Sequence, residues 1–130
     1  MTQKQVSKRW LEGAEEAQDT AQSLFKLNKY NHSLFFAQLY LEKLIKALHY
    51  HLKDSHPLPI HNLVQLLKKI GVIITQKQEK ELRTITRFNI TARYHEDRQK
   101  IYQLANKEYT KNWLIKTNNL GKFIKNKFTE

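Results

Sequence analysis

From Leu34 to Leu52 the chain carries Leu34, Ala37, Gln38, Leu41, Leu44, Ile45, Leu48 and Leu52 at helical spacing over five turns. That pattern fixes a long amphipathic helix and excludes a strand, whose side chains would have to alternate every second residue. Phe35, Phe36 and Tyr40 widen the apolar surface beyond one stripe. A helix so apolar is expected at the centre of a bundle, or covered on a second side by another subunit.

The rest of the sequence obeys the same period. Trp10, Ala14, Ala17, Ala21 and Leu24 recur every three or four positions and predict a first helix from Ser7 to about Leu27. Glu12, Glu15, Glu16 and Asp19 lie on its other face, early in the helix, where carboxylates favour the dipole. Residues 28–31 read as a connection, with Asn31 the N-cap of the second helix. That helix is expected to end before Pro57-Leu58-Pro59, where two prolines enforce an extended turn. A short helix follows from His61-Asn62, with Leu63, Leu66, Leu67 and Ile70 inward and Gly71 as its stop. Thr75-Gln76-Lys77-Gln78 has the form of a capping box opening a fourth helix through Leu82, Ile85 and Phe88. Residues 89–97 lack a clean period and read as a loop or helix end, and residues 98–109 leave helix and coil both open. From Thr110 or Asn112 a last helix is marked by Trp113, Thr117, Leu120, Gly121, Ile124 and Phe128. Three glycines and two prolines are too few for the turns of a sandwich or the phosphate loops of a nucleotide fold. The expected architecture is therefore all-α: one domain over 1–130, an up-and-down bundle of four main helices plus a short one.

Composition narrows the chemistry. With no cysteine there is no disulfide, no thiolate nucleophile and no Cys-ligated metal or iron–sulfur site. His49, His51, His56 and His61 fall close together, but His49 and His51 point to nearly opposite sides of a helix, and no metal site or cofactor is expected. The N-terminus has no apolar leader and no stretch approaches a membrane span, so a cytoplasmic location is expected. Basic charge is concentrated late in the chain. Residues 1–65 hold eight Lys/Arg against six Asp/Glu, whereas residues 66–130 hold fifteen against six. Such an excess fits a polyanionic partner, and equally a Lys-rich solubilising surface.

Read together, these segments resemble the HEPN domain over nearly the whole chain. The resemblance rests on Trp10 with alternating alanines in the first helix and on Gln38-Leu39-Tyr40-Leu41-Glu42-Lys43-Leu44-Ile45-Lys46-Ala47-Leu48 in the second. It continues through the proline turn, His61-Asn62-Leu63, and Ala92-Arg93-Tyr94 after the fourth helix. It implies a helical bundle that pairs as a homodimer and works with a separately encoded minimal nucleotidyltransferase in a toxin–antitoxin-type system. Many members of the family are RNases in which an Arg is followed at short spacing by a His, both subunits contributing at the dimer interface. Here His95 follows Arg87 with seven residues between and Arg93 with one, and it stands where a common variant of the family has proline. Whether the protein is an enzyme is left open by that departure.

Two functional expectations follow. In the first, Arg87, Arg93, Tyr94 and Lys46 bind nucleotide or RNA phosphate, Arg through bidentate donors and Tyr94 by stacking on a base. In the second, the protein is a metal-independent RNase in which Arg93 or Arg87 stabilises the phosphorane and His95 moves the proton. Glu42 and Lys46 also form an i,i+4 pair in the favourable order, which reads as a helix-surface ion pair.

Overall fold

The computed structural model describes residues 1–91 and 103–130. Among them the chain forms five helices and no strand: α1 (Gln3–Lys26), α2 (Tyr30–Leu52), α3 (Leu63–Lys69), α4 (Gln76–Thr91) and α5 (Lys107–Asn126). The bundle is all-α, as the periodicity requires.

Helix α1 starts four residues before the expected Ser7. Thr2 and Gln5 make a reciprocal capping box, Gln5 N donating to Thr2 Oγ1 at 3.1 Å and Thr2 N to Gln5 Oε1 at 2.9 Å. The reversal into α2 is a Schellman turn. Asn28 adopts φ +61°, Lys29 N bonds Leu24 O at 2.8 Å and Asn28 N bonds Phe25 O at 3.0 Å. The expected cap Asn31 is therefore inside α2, which begins at Tyr30 with no side-chain cap. The same turn geometry closes α3, with Gly71 at φ +77°, Val72 N on Leu67 O and Gly71 N on Lys68 O, both at 3.1 Å. Helix α3 starts where the sequence put it, with Asn62 as its cap, and the Thr75–Gln78 box caps α4 as expected. Helix α4 runs on to Thr91, so 89–91 of the expected loop or helix end are helical. Helix α5 begins at Lys107, capped by Asn106, earlier than the expected Thr110.

Helices α1 and α2 lie antiparallel and close. Ala14, Ala17 and Ala21 are buried between them, and small residues let two helix backbones approach. Two buried serines mark the register: Ser7 Oγ donates to Ala47 O at 2.8 Å and Ser33 Oγ to Ala21 O at 2.7 Å. Helix α2 is the core, its Leu34, Leu41, Leu44, Ile45 and Leu48 packed with Leu63 and Leu67 of α3, Leu82 and Ile85 of α4 and Leu120 and Ile124 of α5. Each such fully buried side chain contributes about 1.5–3 kcal/mol. Tyr40 of α2 packs against Gly121 of α5, and His51 Nε2 meets Phe128 O at 2.9 Å, so α5 runs parallel to α2.

Candidate functional site

Helix α2 interrupts its own apolar surface with Gln38, Glu42 and Lys46, all buried. One turn apart, they form a line of polar groups facing away from α1's alanines, and the chain supplies partners from distant segments. Lys46 Nζ donates to Glu42 Oε2 at 3.0 Å, and the two side chains are only 10 % and 7 % exposed. The pair read from sequence as a surface feature is thus an interior one. Glu42 Oε1 accepts from Gln38 Nε2 at 3.0 Å and meets His61 Nδ1 at 2.8 Å. Gln38 Nε2 also donates to His61 O at 3.0 Å, and Gln38 Oε1 accepts from Asn89 Nδ2 of α4 at 2.9 Å. The Lys46 ammonium sits 5.6 Å from the Trp10 ring centroid.

The electrostatics follow from these contacts. Burial pushes the Glu42 carboxyl up, but hydrogen bonds from Gln38, His61 and Lys46, with the Lys46 charge, outweigh it and hold the group below the usual carboxylate range. Asn89 Oδ1 is buried with no partner among the described residues.

A second set of residues lies between α4 and α5. Lys80, Arg83 and Arg87 are exposed at spacings of three and four along α4, one face of that helix. On α5, Tyr109 and Trp113 are half-buried one turn apart, while Lys107 and Lys111, two positions to either side of Tyr109, are exposed. Trp113 meets Phe88 of α4 edge-on at 5.8 Å and Tyr109 at 6.4 Å, and Lys116 Nζ lies 4.4 Å above its ring. Burial pushes the Tyr109 hydroxyl up, and the neighbouring Arg87 charge and Trp113 pull it partly back. Arg83 pairs with Glu79 at 3.5 Å, while Arg87 has no ion pair among the described residues.

Of the residues expected to act, Arg87 is therefore a solvent-facing cation beside Tyr109, and Lys46 is an interior cation bound to Glu42. Arg93, Tyr94 and His95 lie outside the described residues. His61, placed by the sequence at the start of α3, is a partner of Glu42, and the cap is Asn62. Sequence reasoning passed over Asn89 and Tyr109 as site residues. Gln38 was the available signal, a polar side chain inside an apolar stripe. His49, His51 and His56 are separately engaged by Ser55, Phe128 O and Tyr50. Among the described residues no group of three or more His, Cys, Asp or Glu is placed to hold a metal ion. No described helix is long and apolar enough to cross a membrane.

Comparison with known proteins agrees with this architecture. The HEPN domain family model matches residues 7–127. The crystal structure of TT1696 from Thermus thermophilus superposes with a TM-score of 0.77 at 21% identity, covering 93% of this chain and 97% of that one. At that identity the likeness speaks for the fold. No curated protein sequence matches the chain.

Proposed function

The chain belongs to the HEPN domain family, and on that premise we propose that it is a dimeric module that binds nucleotide or RNA phosphate. Its partner in this reading is a separately encoded minimal nucleotidyltransferase, in a toxin–antitoxin-type pair. The observation that carries the phosphate reading is Arg87, exposed, without an ion pair among the described residues, and flanked by Tyr109. Lys80 and Arg83 are exposed on the same face of α4. Cations interleaved with aromatic rings suit a single-stranded polyanion, because phosphates take the charges and bases take the rings. Arg93 and Tyr94 follow the last residue of α4 by two and three positions and extend the same set in sequence. Lys46 of α2 is paired with Glu42 in the interior.

Dimerisation through α2 is supported by Phe35 and Leu39, which the bundle leaves half-buried although they sit on its most apolar helix.

The test is anisotropy of a labelled single-stranded RNA titrated with the full chain at stepped salt. Each phosphate contact on a single strand contributes about 0.7 to the slope of log K against log salt. Arg87→Ala is expected to weaken binding and flatten that slope by about 0.7. Binding that ignores salt, or an Arg87→Ala variant that binds as wild type does, defeats the reading.

A further inference from the structure

Because α1 and α2 run antiparallel and α5 runs parallel to α2, the start of α1 and the ends of α2 and α5 share one end of the bundle. Hydrogen bonds tie the three together there. Gln3 Nε2 donates to Lys53 O at 2.6 Å. His51 Nε2 donates to Phe128 O at 2.9 Å, with the two rings 5.2 Å apart. Between these segments opens a cavity of about 550 Å³. Leu11 and Phe128 supply its apolar wall, both half-buried and packed on the main core. Lys4, Lys8 and Leu11 follow one another at spacings of four and three, one face of α1, so both lysines stand beside that wall. Lys4 and Lys8 are exposed, and neither has an ion pair among the described residues.

A cavity of this size, with an apolar wall and a few polar groups at its rim, has the make-up of a small-molecule site. Covering the wall removes apolar surface from water, which favours a ligand with an apolar tail. Lysine stems lie along apolar surface while their ammonium groups stay in water, so the rim rather than the floor selects the head group. Two cations without acidic partners attract a negative head and repel a positive one. We propose that this end of the bundle binds a free fatty acid of medium chain length. Its alkyl tail lies against Leu11 and Phe128, and its carboxylate sits between Lys4 and Lys8. None of these residues belongs to the Arg87 set, so the two readings stand or fall separately.

The probe is decanoate, titrated into the full chain below its micelle-forming concentration while nitrogen-15 amide shifts are followed. Amides of residues 2–11, His51 and Phe128 are expected to move along one saturable curve, one molecule per chain. Each methylene added from octanoate to dodecanoate should tighten binding by about 2- to 4-fold, the upper figure being full burial. An exposed cation contributes about 1.5- to 5-fold. The doubly substituted Lys4→Gln, Lys8→Gln protein should therefore bind decanoate about 2- to 25-fold more weakly while melting as wild type does. Decyltrimethylammonium, with the same tail and the opposite charge, should leave these amides unmoved. Phe128→Ala, outside any helix, should flatten the dependence on chain length. Shifts spread over the surface without saturation, or a doubly substituted protein that binds as wild type does, overturn the assignment. Equal binding of the trimethylammonium probe overturns it too, as does the absence of any shift up to micelle formation.

Discussion

Alanine substitution at two helical glycines should move stability in opposite directions. In a helix interior Gly→Ala ordinarily gains about 1 kcal/mol, because glycine loses more backbone freedom on folding. Gly13 of α1 should show this gain. A methyl there meets only Lys43, Cδ at 3.4 Å and Nζ at 3.5 Å, the far part of a flexible side chain that moves aside at little cost. Gly121 of α5 should not. A methyl there falls against the Tyr40 hydroxyl and comes within 2.8 Å of Cε2 and 2.9 Å of Cζ. These lie well inside van der Waals contact, and the Tyr40 ring is 1% exposed with nowhere to swing. Overpacking of this kind costs about 1–3 kcal/mol, and the contact with three atoms of a rigid ring puts Gly121→Ala at the upper end.

Setting the helical gain against it leaves a net loss of about 1–2 kcal/mol, and a difference between the two variants of about 2–3 kcal/mol. At this chain length 1 kcal/mol corresponds to roughly 3–5 °C in Tm. Thermal melts followed by circular dichroism should thus separate the variants by roughly 6–15 °C, with Gly121→Ala below wild type and Gly13→Ala above. Tyr40→Phe removes the nearest atom of the clash, so it should recover part of the loss in the Gly121→Ala background, a non-additivity of about 0.5–2 kcal/mol. A Gly121→Ala protein that melts with Gly13→Ala, or a double variant whose effects simply add, would refute the packing of α5 against α2.

Four further outcomes are expected. Lys46→Met should cost about 3 kcal/mol in urea denaturation, because it strands the Glu42 carboxylate inside the core while Gln38 and His61 still donate to it. Because the Glu42 carboxyl is held lower in the folded than in the unfolded chain, its contribution is present above the unfolded value and lost as pH falls through the folded one. Urea midpoints should therefore fall more steeply below about pH 4.5 in wild type than in Glu42→Gln, and parallel curves would contradict the pairing. Gly71→Ala, at φ +77° with open space around the added methyl, should cost about 1 kcal/mol through backbone strain alone, measured the same way. Asn106→Ala should cost about 1 kcal/mol by leaving Tyr109 N without its cap, visible as earlier loss of helix signal on heating.

What the sequence disclosed, and what it withheld, divides along locality. The α2 stripe, the Asn62 and Gly71 ends of α3 and the Thr75–Gln78 box are all decided within a few residues, and each is where the pattern put it. The missed starts also have local causes, but weak ones. Thr2-Gln3-Lys4-Gln5 has the same box form as Thr75–Gln78 but opens a polar turn with no apolar stripe to announce it. Asn106 caps α5 within a segment whose period becomes plain only near Trp113. At the α1–α2 turn an asparagine in the left-handed region made the reversal, so the cap assigned to Asn31 was never needed.

The polar cluster is different in kind. Glu42 and Lys46 have the spacing of a solvent-facing pair, and nothing within one turn says otherwise. They are interior because the chain returns over them. His61 comes from 19 residues away and Asn89 lies 51 residues from the Gln38 it bonds. Interior polar groups must be satisfied, so three polar side chains one turn apart on an apolar helix require donors and acceptors from elsewhere in the chain. The identity of those partners is set by topology alone, here by the return through the proline turn and by the crossing of α4. Topology also decides that Arg87 remains outside beside Tyr109 while Lys46 is enclosed. The two cations that sequence reasoning grouped into one phosphate site consequently have separate physical roles. One is free to meet a polyanion, and the other holds the carboxylate that orients His61.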